Sequence, residues 1–451
     1  MENNLKPEVM KTKIILISVC LVICNFIYAQ TWSTVGTGFY ALDVYSIVEY
    51  NNDLYAGGWS MSINSVSAHR IAKWDGTNWS FVGTGVSGGN NSQLYVHALA
   101  VYNGELYAAG DFDSAGSFVA NNIAKWNGTN WSPVGTGLGG SGAYVQALEV
   151  FNGELYVGGF FLTAGGNNAP YIAKWNGTNW SGVGLGMNSS VNAFEVYNGE
   201  LYAGGFFTTA GGNPANYTAK WNGTIWSALS STTSNVVYSL HAFGGDLYAA
   251  GVFSYAGGNP AGRIAKWNGT NWSSLGPGLN GNSASAICGY LGEIYAGGLF
   301  DSAGSVLVNN IAKWDGISWS AIDGGTSGHV SAFGIYYSEL FVGGGIAYAG
   351  PTLVNGITKL NNLPTSSDIK FSSSMVTIYP NPATTEITVQ SSKLKVQSVE
   401  VYDMLGQRIY NSSLISHNSS LSIDVSQWHT GIYFVKLLTG EKMVVKKVVK
   451  M

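Results

Sequence analysis

Ala124-Lys125-Trp126-Asn127-Gly128-Thr129-Asn130-Trp131-Ser132 is the stretch whose reading decides the fold. It recurs at 173–181 and 265–273, with near copies starting at Ala72, Ala219 and Ala312. A seventh copy, Thr358-Lys359-Leu360-Asn361, has Leu where the others have Trp. Self-similarity at a period of 46–52 residues is the signature of a repeat architecture. Working outward from the phrase in one unit, residues 96–102 and 105–110 form two alternating runs around Asn103-Gly104. After a longer loop, 122–126 and 131–134 form two more around Asn127-Gly128. Asn-Gly between alternating apolar runs predicts a tight hairpin, because a type I′ turn needs positive φ at both central residues. Each unit is therefore predicted to be two hairpins, four strands, with no helical period.

Internal distances restrict the architecture further. First-strand anchors fall at Val44, Val96, Val145, Val191, Val237, Ala284 and Val330. From anchor to the second Gly of a Gly-Gly or Ala-Gly pair is 14 residues in every unit, and from that Gly to the Trp or Leu anchor is 16. Trp to Trp is 5 wherever both occur, and all length variation lies between the fourth strand and the next first strand. The chain also starts and stops out of phase. Thr31-Trp32-Ser33-Thr34-Val35 is a lone fourth strand, while the last unit ends with its third at Leu360. The expectation is an all-β, seven-bladed β-propeller over residues 30–360, closed by its N-terminal strand, which removes both exposed sheet edges. An open solenoid is the alternative, and it leaves both partial units unpaired.

The Leu-Tyr-Ala-Gly-Gly ending of strand two, followed by Trp in strand three and Trp five residues on, resembles kelch-type blades and the Rax2-like bacterial surface propellers. That resemblance implies a fold and little about activity, since such blades host many functions.

At the N-terminus, Lys11 and Lys13 precede an apolar run over 14–27, and Ala29 supplies a small residue before Gln30. This is the order of a signal peptide over 1–29, with Met1 or Met10 as start. The run is shorter than the ~20 residues of a spanning helix, so no transmembrane segment is expected in the mature chain, a retained anchor being the alternative. Cys288 then remains as the single cysteine, which excludes a disulfide framework. Charged residues make up 10% of the chain and Gly numbers 61, a composition of β-strands and turns rather than of disorder.

Residues 361–374 read as a linker, and 375–451 as a small β-sandwich with six strands near 376–379, 387–390, 398–402, 421–425, 432–437 and 443–449. Within it come Tyr379-Pro380-Asn381-Pro382, then Tyr402-Asp403-Met404-Leu405-Gly406, then Gly431-Ile432-Tyr433, then Lys446-Lys447-Val448-Val449-Lys450. This order resembles the type A C-terminal sorting domain of the type IX (Por) secretion system. The resemblance implies partnership with that machinery, passage through the outer membrane, and release or attachment at the cell surface. One departure is Trp428-His429 where the family has Leu.

Little chemistry is visible. Seven acids (Asp53, Glu105, Glu154, Glu200, Asp246, Glu293, Glu339) open the second strands, and seven lysines (Lys73, Lys125, Lys174, Lys220, Lys266, Lys313, Lys359) close the third. They are expected to pair across strands. That leaves Arg70 and Arg263 as the propeller's other basic residues, too few to track phosphates, so nucleic acid is excluded as a partner. Residues 135–140 fit G-x-G-x-x-G but lead into a strand, not a helix, so no dinucleotide cofactor is expected. Asp111-Phe112-Asp113 begins like a calcium loop but lacks the later acids. His97, His241 and His329 fall at scattered places and Cys288 lies beside a first strand, so neither a metal site nor a catalytic residue is assigned.

Loop length points to the binding face. The longest fourth-to-first connections, 83–95 and 135–144, neighbour each other, and Trp59 is the propeller Trp outside the repeat, placed where a loop follows Gly57-Gly58. The candidate binding residues are Trp59, Asn90, Asn91, Tyr95, Asp111, Asp113 and Tyr144. Their types suit a glycan or a protein ligand on a non-enzymatic surface module. A glycan-active enzyme and a purely structural surface protein are the alternatives.

Overall fold

The structure, a computed structural model, describes residues 30–88, 94–362, 376–391, 396–403, 408–416, 420–439 and 442–451. The signal peptide, Asn90, Asn91, Gly406 and residues 363–374 of the expected linker lie outside the described residues. The described chain is all-β. Its repeats form four-stranded antiparallel sheets in the order first, second, third, fourth, as in a propeller. In unit three, for example, these are Tyr144–Phe151, Glu154–Phe160, Ile172–Trp175 and Trp180–Gly182. The strand Gln30–Thr34 pairs with Ile357–Asn362 and supplies the fourth strand of unit seven. That third strand runs two residues past Leu360. Asn361 and Asn362, expected in the linker, pair instead with Thr31 and Gln30.

The two hairpins of a unit turn differently. The first is the expected two-residue turn, with Asn103 at φ 49° and Gly104 at φ 76°. The second departs from expectation. Trp126 pairs with Trp131 across a four-residue loop, in which the Asn127 Oδ1 accepts the backbone N–H groups of Thr129 and Asn130 at 2.9 and 2.8 Å. An Asn side chain that substitutes for backbone in this way sets the turn by itself.

Each first strand packs beside the next, and that of unit seven beside that of unit one. Apolar clusters fill the seams, one of them joining Ala332, Tyr336 and Phe341 of unit seven to Val44, Ile47 and Leu54 of unit one. The fourth-strand tryptophans bridge the same seams. Each buried indole N–H donates to a carbonyl at the end of the preceding unit, as Trp79 does to Val35 (2.7 Å), Trp131 to Val82 (2.9 Å) and Trp226 to Val183 (3.1 Å). Trp32 does so to Asp323 at 3.1 Å. A hydroxyl series bridges the seams in the opposite sense, each donating to the following unit, for example Tyr50 to Gly104 and Tyr336 to Asn52. All seven acid–lysine pairs form, at 2.6–3.0 Å. They are part-exposed and worth about 0–1 kcal/mol each.

The C-terminal segment folds as a three-stranded and a four-stranded sheet around Ile387, Val399, Val401, Ile423 and Val435. The strand Arg408–Ser416 was not among those expected, because its run of Asn and Ser hides the alternation. The sorting motif holds the chain end in place. Asn381 Oδ1 accepts the Val449 N–H at 2.9 Å, between Pro380 and Pro382, and Ala383 bonds to both Val449 and Met451. Lys446, Lys447 and Lys450 lie on the last strand, Lys442–Lys450, which pairs with the strand starting at Gly431. Tyr402 and Asp403 end the strand Val396–Asp403. Trp428, the departure from the family pattern, packs its ring 4.8 Å from Tyr433, whose hydroxyl donates to the His429 carbonyl.

Candidate functional site

The repeated 14-residue spacing has a structural purpose that leads directly to the site. In all seven units the first strand bulges just after its anchor, as between Val44 and Ser46 or Val96 and Ala98. The second Gly of each pair faces this bulge. A Cβ there would lie 1.9–2.3 Å from the carbonyl oxygen of the residue before the anchor, a clash no side chain relieves. A bulge leaves one residue unpaired and re-aims its neighbours. Here those neighbours are the residues before and after each anchor. In units seven, one, two and three they are His329 and Ser331, Asp43 and Tyr45, Tyr95 and His97, Tyr144 and Gln146.

These residues assemble into a ledge of rings. Trp59 lies 5.8 Å from Tyr95, which stacks on His97 at 5.1 Å. Tyr45 sits 5.7 Å from Tyr95 and 5.2 Å from His97. His97 is 6.3 Å from Tyr144, which stacks on Phe160 at 5.6 Å. Asp43, buried, anchors one end. It accepts from His329 Nε2 at 2.6 Å and from the Ser331 hydroxyl at 3.2 Å. The hydrogen bond to Asp43 raises His329 above the ordinary imidazole value, whereas burial lowers His97 to about 4 and keeps it neutral. Burial, followed by Asp43, raises the Tyr95 hydroxyl above its usual range and the Tyr45 hydroxyl well above it.

Of the candidate residues, the structure brings Trp59, Tyr95 and Tyr144 together. Asp111 pairs with Tyr95 across the sheet and is buried. Asp113 is exposed and stands apart, in a separate cleft of about 410 Å³ with Asn121, Thr136 and Thr163. Trp59 is not at the start of a loop. Its strand continues as Asp53–Ile63 and pairs Trp59 with Asp43.

Sequence reading missed Tyr45, His97 and the Asp43–His329 pair. It also missed a second level four residues beyond the anchors, where Glu149, Glu195, His241 and Cys288 take equal places on the first strands of units three to six. The sequence placed His241 at a scattered position and Cys288 beside a first strand, with no register drawn between them. They share this one, and counting from the anchors would have found it. His241 Nδ1 lies 3.8 Å from Glu195 Oε2. Burial pushes Glu149 up to about 7, and burial with the Glu149 charge pushes Glu195 up to about 8, while burial lowers His241 to about 4. No three His, Cys, Asp or Glu side chains among the described residues are grouped to hold a metal ion.

Comparison with known proteins bears mainly on the tail. Residues 377–451 match the family model described as a secretion system C-terminal sorting domain. That tail marks the chain for export by the type IX system to the cell surface or the extracellular space. No curated protein matches the chain. Among solved structures, an alpha-L-arabinofuranosidase from Clostridium thermocellum is similar over 72% of this chain and 94% of its own, at 11% identity and a TM-score of 0.27.

Proposed function

We propose that residues 30–360 form a kelch-like, seven-bladed propeller closed by its own N-terminal strand, and that it is a non-enzymatic module binding a glycan at the loop face. In this reading a signal peptide over 1–29 and the sorting domain over 375–451 deliver it, and residues near 361–374 tether the two folded parts. One observation carries the binding assignment, the part-exposed ring ledge of Trp59, Tyr95, His97, Tyr144 and Phe160 beside Asp43 and His329. Flat aromatic faces cover the apolar face of a pyranose, while neighbouring hydroxyl and imidazole groups hydrogen-bond its rim. The ledge is a poor hydrolase. Glycoside cleavage takes two carboxyls flanking the bond, and Asp43 is held by His329 and Ser331.

The test is a glycan array probed with the purified full chain and with Trp59→Ala and Tyr95→Ala. Binding to a defined glycan set that weakens by about tenfold or more in both variants, the worth of one desolvated aromatic anchor, supports the assignment. Retention of full binding in both variants refutes it.

A further inference from the structure

Arg70 precedes the third strand of unit one, four residues before Trp74. The same place in units two, five and six holds Asn122, Arg263 and Asn310, all at left-handed φ of 62–64° against 71° for Arg70. Those three have a structural task. Each side chain donates to a carbonyl of the following connection, Asn122 to Leu138 at 3.1 Å, Arg263 to Leu279 at 3.1 Å and Asn310 to Thr326 at 2.9 Å. Arg70 does not share that task. Its guanidinium has no hydrogen-bond or ion-pair partner among the described residues, and its Nε is buried. The seven repeat lysines are all matched to acids, which leaves Arg70 and Arg263 without an acid among the described residues, and of the two only Arg263 has a carbonyl for its guanidinium.

The Arg70 charge opens on a cleft of about 360 Å³ whose lining includes Trp59, Tyr40, Ser60, Ser62 and Ser67 but no acidic residue. Burial lowers the Arg70 pKa from its ordinary value, the mark of a guanidinium that has lost water without gaining an anion. A part-buried charge left in this state is costly, and an anion entering the cleft offsets the cost. Guanidinium offers paired N–H donors that match the oxygens of a planar carboxylate or a sulfate ester. Trp59 in the same cleft belongs to the ring ledge, so an anionic group here is continuous with a sugar lying there.

We infer that the cleft selects a glycan carrying an anionic sugar residue, with Arg70 taking the carboxylate or sulfate while Trp59 covers the ring. The inference rests on the glycan reading above and narrows it to acidic glycans. It is tested by titrating the full chain, and Arg70→Asn and Arg70→Lys, with trigalacturonate, a sulfated galactose trisaccharide and neutral galactotriose at low and at 0.5 M salt. Asn at 122 and 310 already occupies this backbone conformation, so Arg70→Asn is expected to fold, which its unfolding midpoint checks.

The expected result is at least about tenfold tighter binding of one anionic sugar than of the neutral one. That preference is lost in Arg70→Asn, weakened by salt, and partly kept in Arg70→Lys. Whichever anion binds identifies the group. Binding of neutral sugars alone, or anion preference unchanged in Arg70→Asn, overturns the Arg70 inference and leaves the glycan reading standing. Absence of binding to all three probes and across the glycan array overturns both.

Discussion

Substituting Trp32 tests whether the N-terminal strand is an integral fourth strand or a loosely attached edge. Trp32 is buried, 5% exposed, and its indole N–H donates to Asp323 across the seam between units six and seven. Trp226, 4% exposed, occupies the same position in unit four and donates to Val183 at the same 3.1 Å. The two sites differ in covalent context, since the Trp226 strand follows its paired third strand directly in the chain, whereas Trp32 pairs with Leu360 at the far end of the repeats. Replacing a buried Trp by Ala costs about 3–5 kcal/mol, and the lost indole hydrogen bond is part of that sum. If the strand closes the array, Trp32→Ala and Trp226→Ala should each destabilise the full chain by about 4 kcal/mol. Guanidinium unfolding followed by far-ultraviolet circular dichroism reads both, since it does not depend on Trp emission. A loss below about 1 kcal/mol for Trp32→Ala, beside a full loss for Trp226→Ala, would refute closure.

Two other outcomes are expected. Glu195, held up to about 8, keeps in the folded state a proton that the unfolded chain releases near pH 4.3. The contribution of this group to stability therefore falls as pH rises from about 4.5 to about 8. Glu195→Gln should remove that contribution and, at about 1.4 kcal/mol per pKa unit, be more stable than the parent at pH 8.5 by roughly 5 kcal/mol, with little difference at pH 4.5. Parallel slopes for the two proteins in thermal melts would contradict the burial argument. Deleting residues 377–451 should leave the product inside a type IX-competent cell, and immunoblots of culture medium and surface-digested cells read this. Undiminished export would show that the tail is not the signal.

Much of the fold was legible because its determinants lie close together in the chain. The Asn-Gly turns, the 5-residue Trp pair and the 20-residue reach from Lys125 to Glu105 all act within one unit. Each unit repeats them, so noise in one is corrected by six others. Trp32 was readable as a missing fourth strand for the same reason. The four-residue Asn127–Asn130 loop was misread as a two-residue turn because Asn-Gly opens both hairpins, and a side-chain acceptor decides between them.

The candidate site follows the opposite rule. Its residues are those that differ from unit to unit, so the repeat treats them as noise. Asp43 and His329 stand 286 positions apart in sequence and 2.6 Å apart in space. Trp59, Tyr95 and Tyr144 each come from a different sheet. By itself the sequence determined the unit, its strand order and the destination encoded in its tail, all products of local hydrogen-bonding geometry and short-range patterning. Only the tertiary structure decided which variable side chains share a level, because that depends on how the first strands of neighbouring units pack side by side, each with a bulge that its glycine leaves room for.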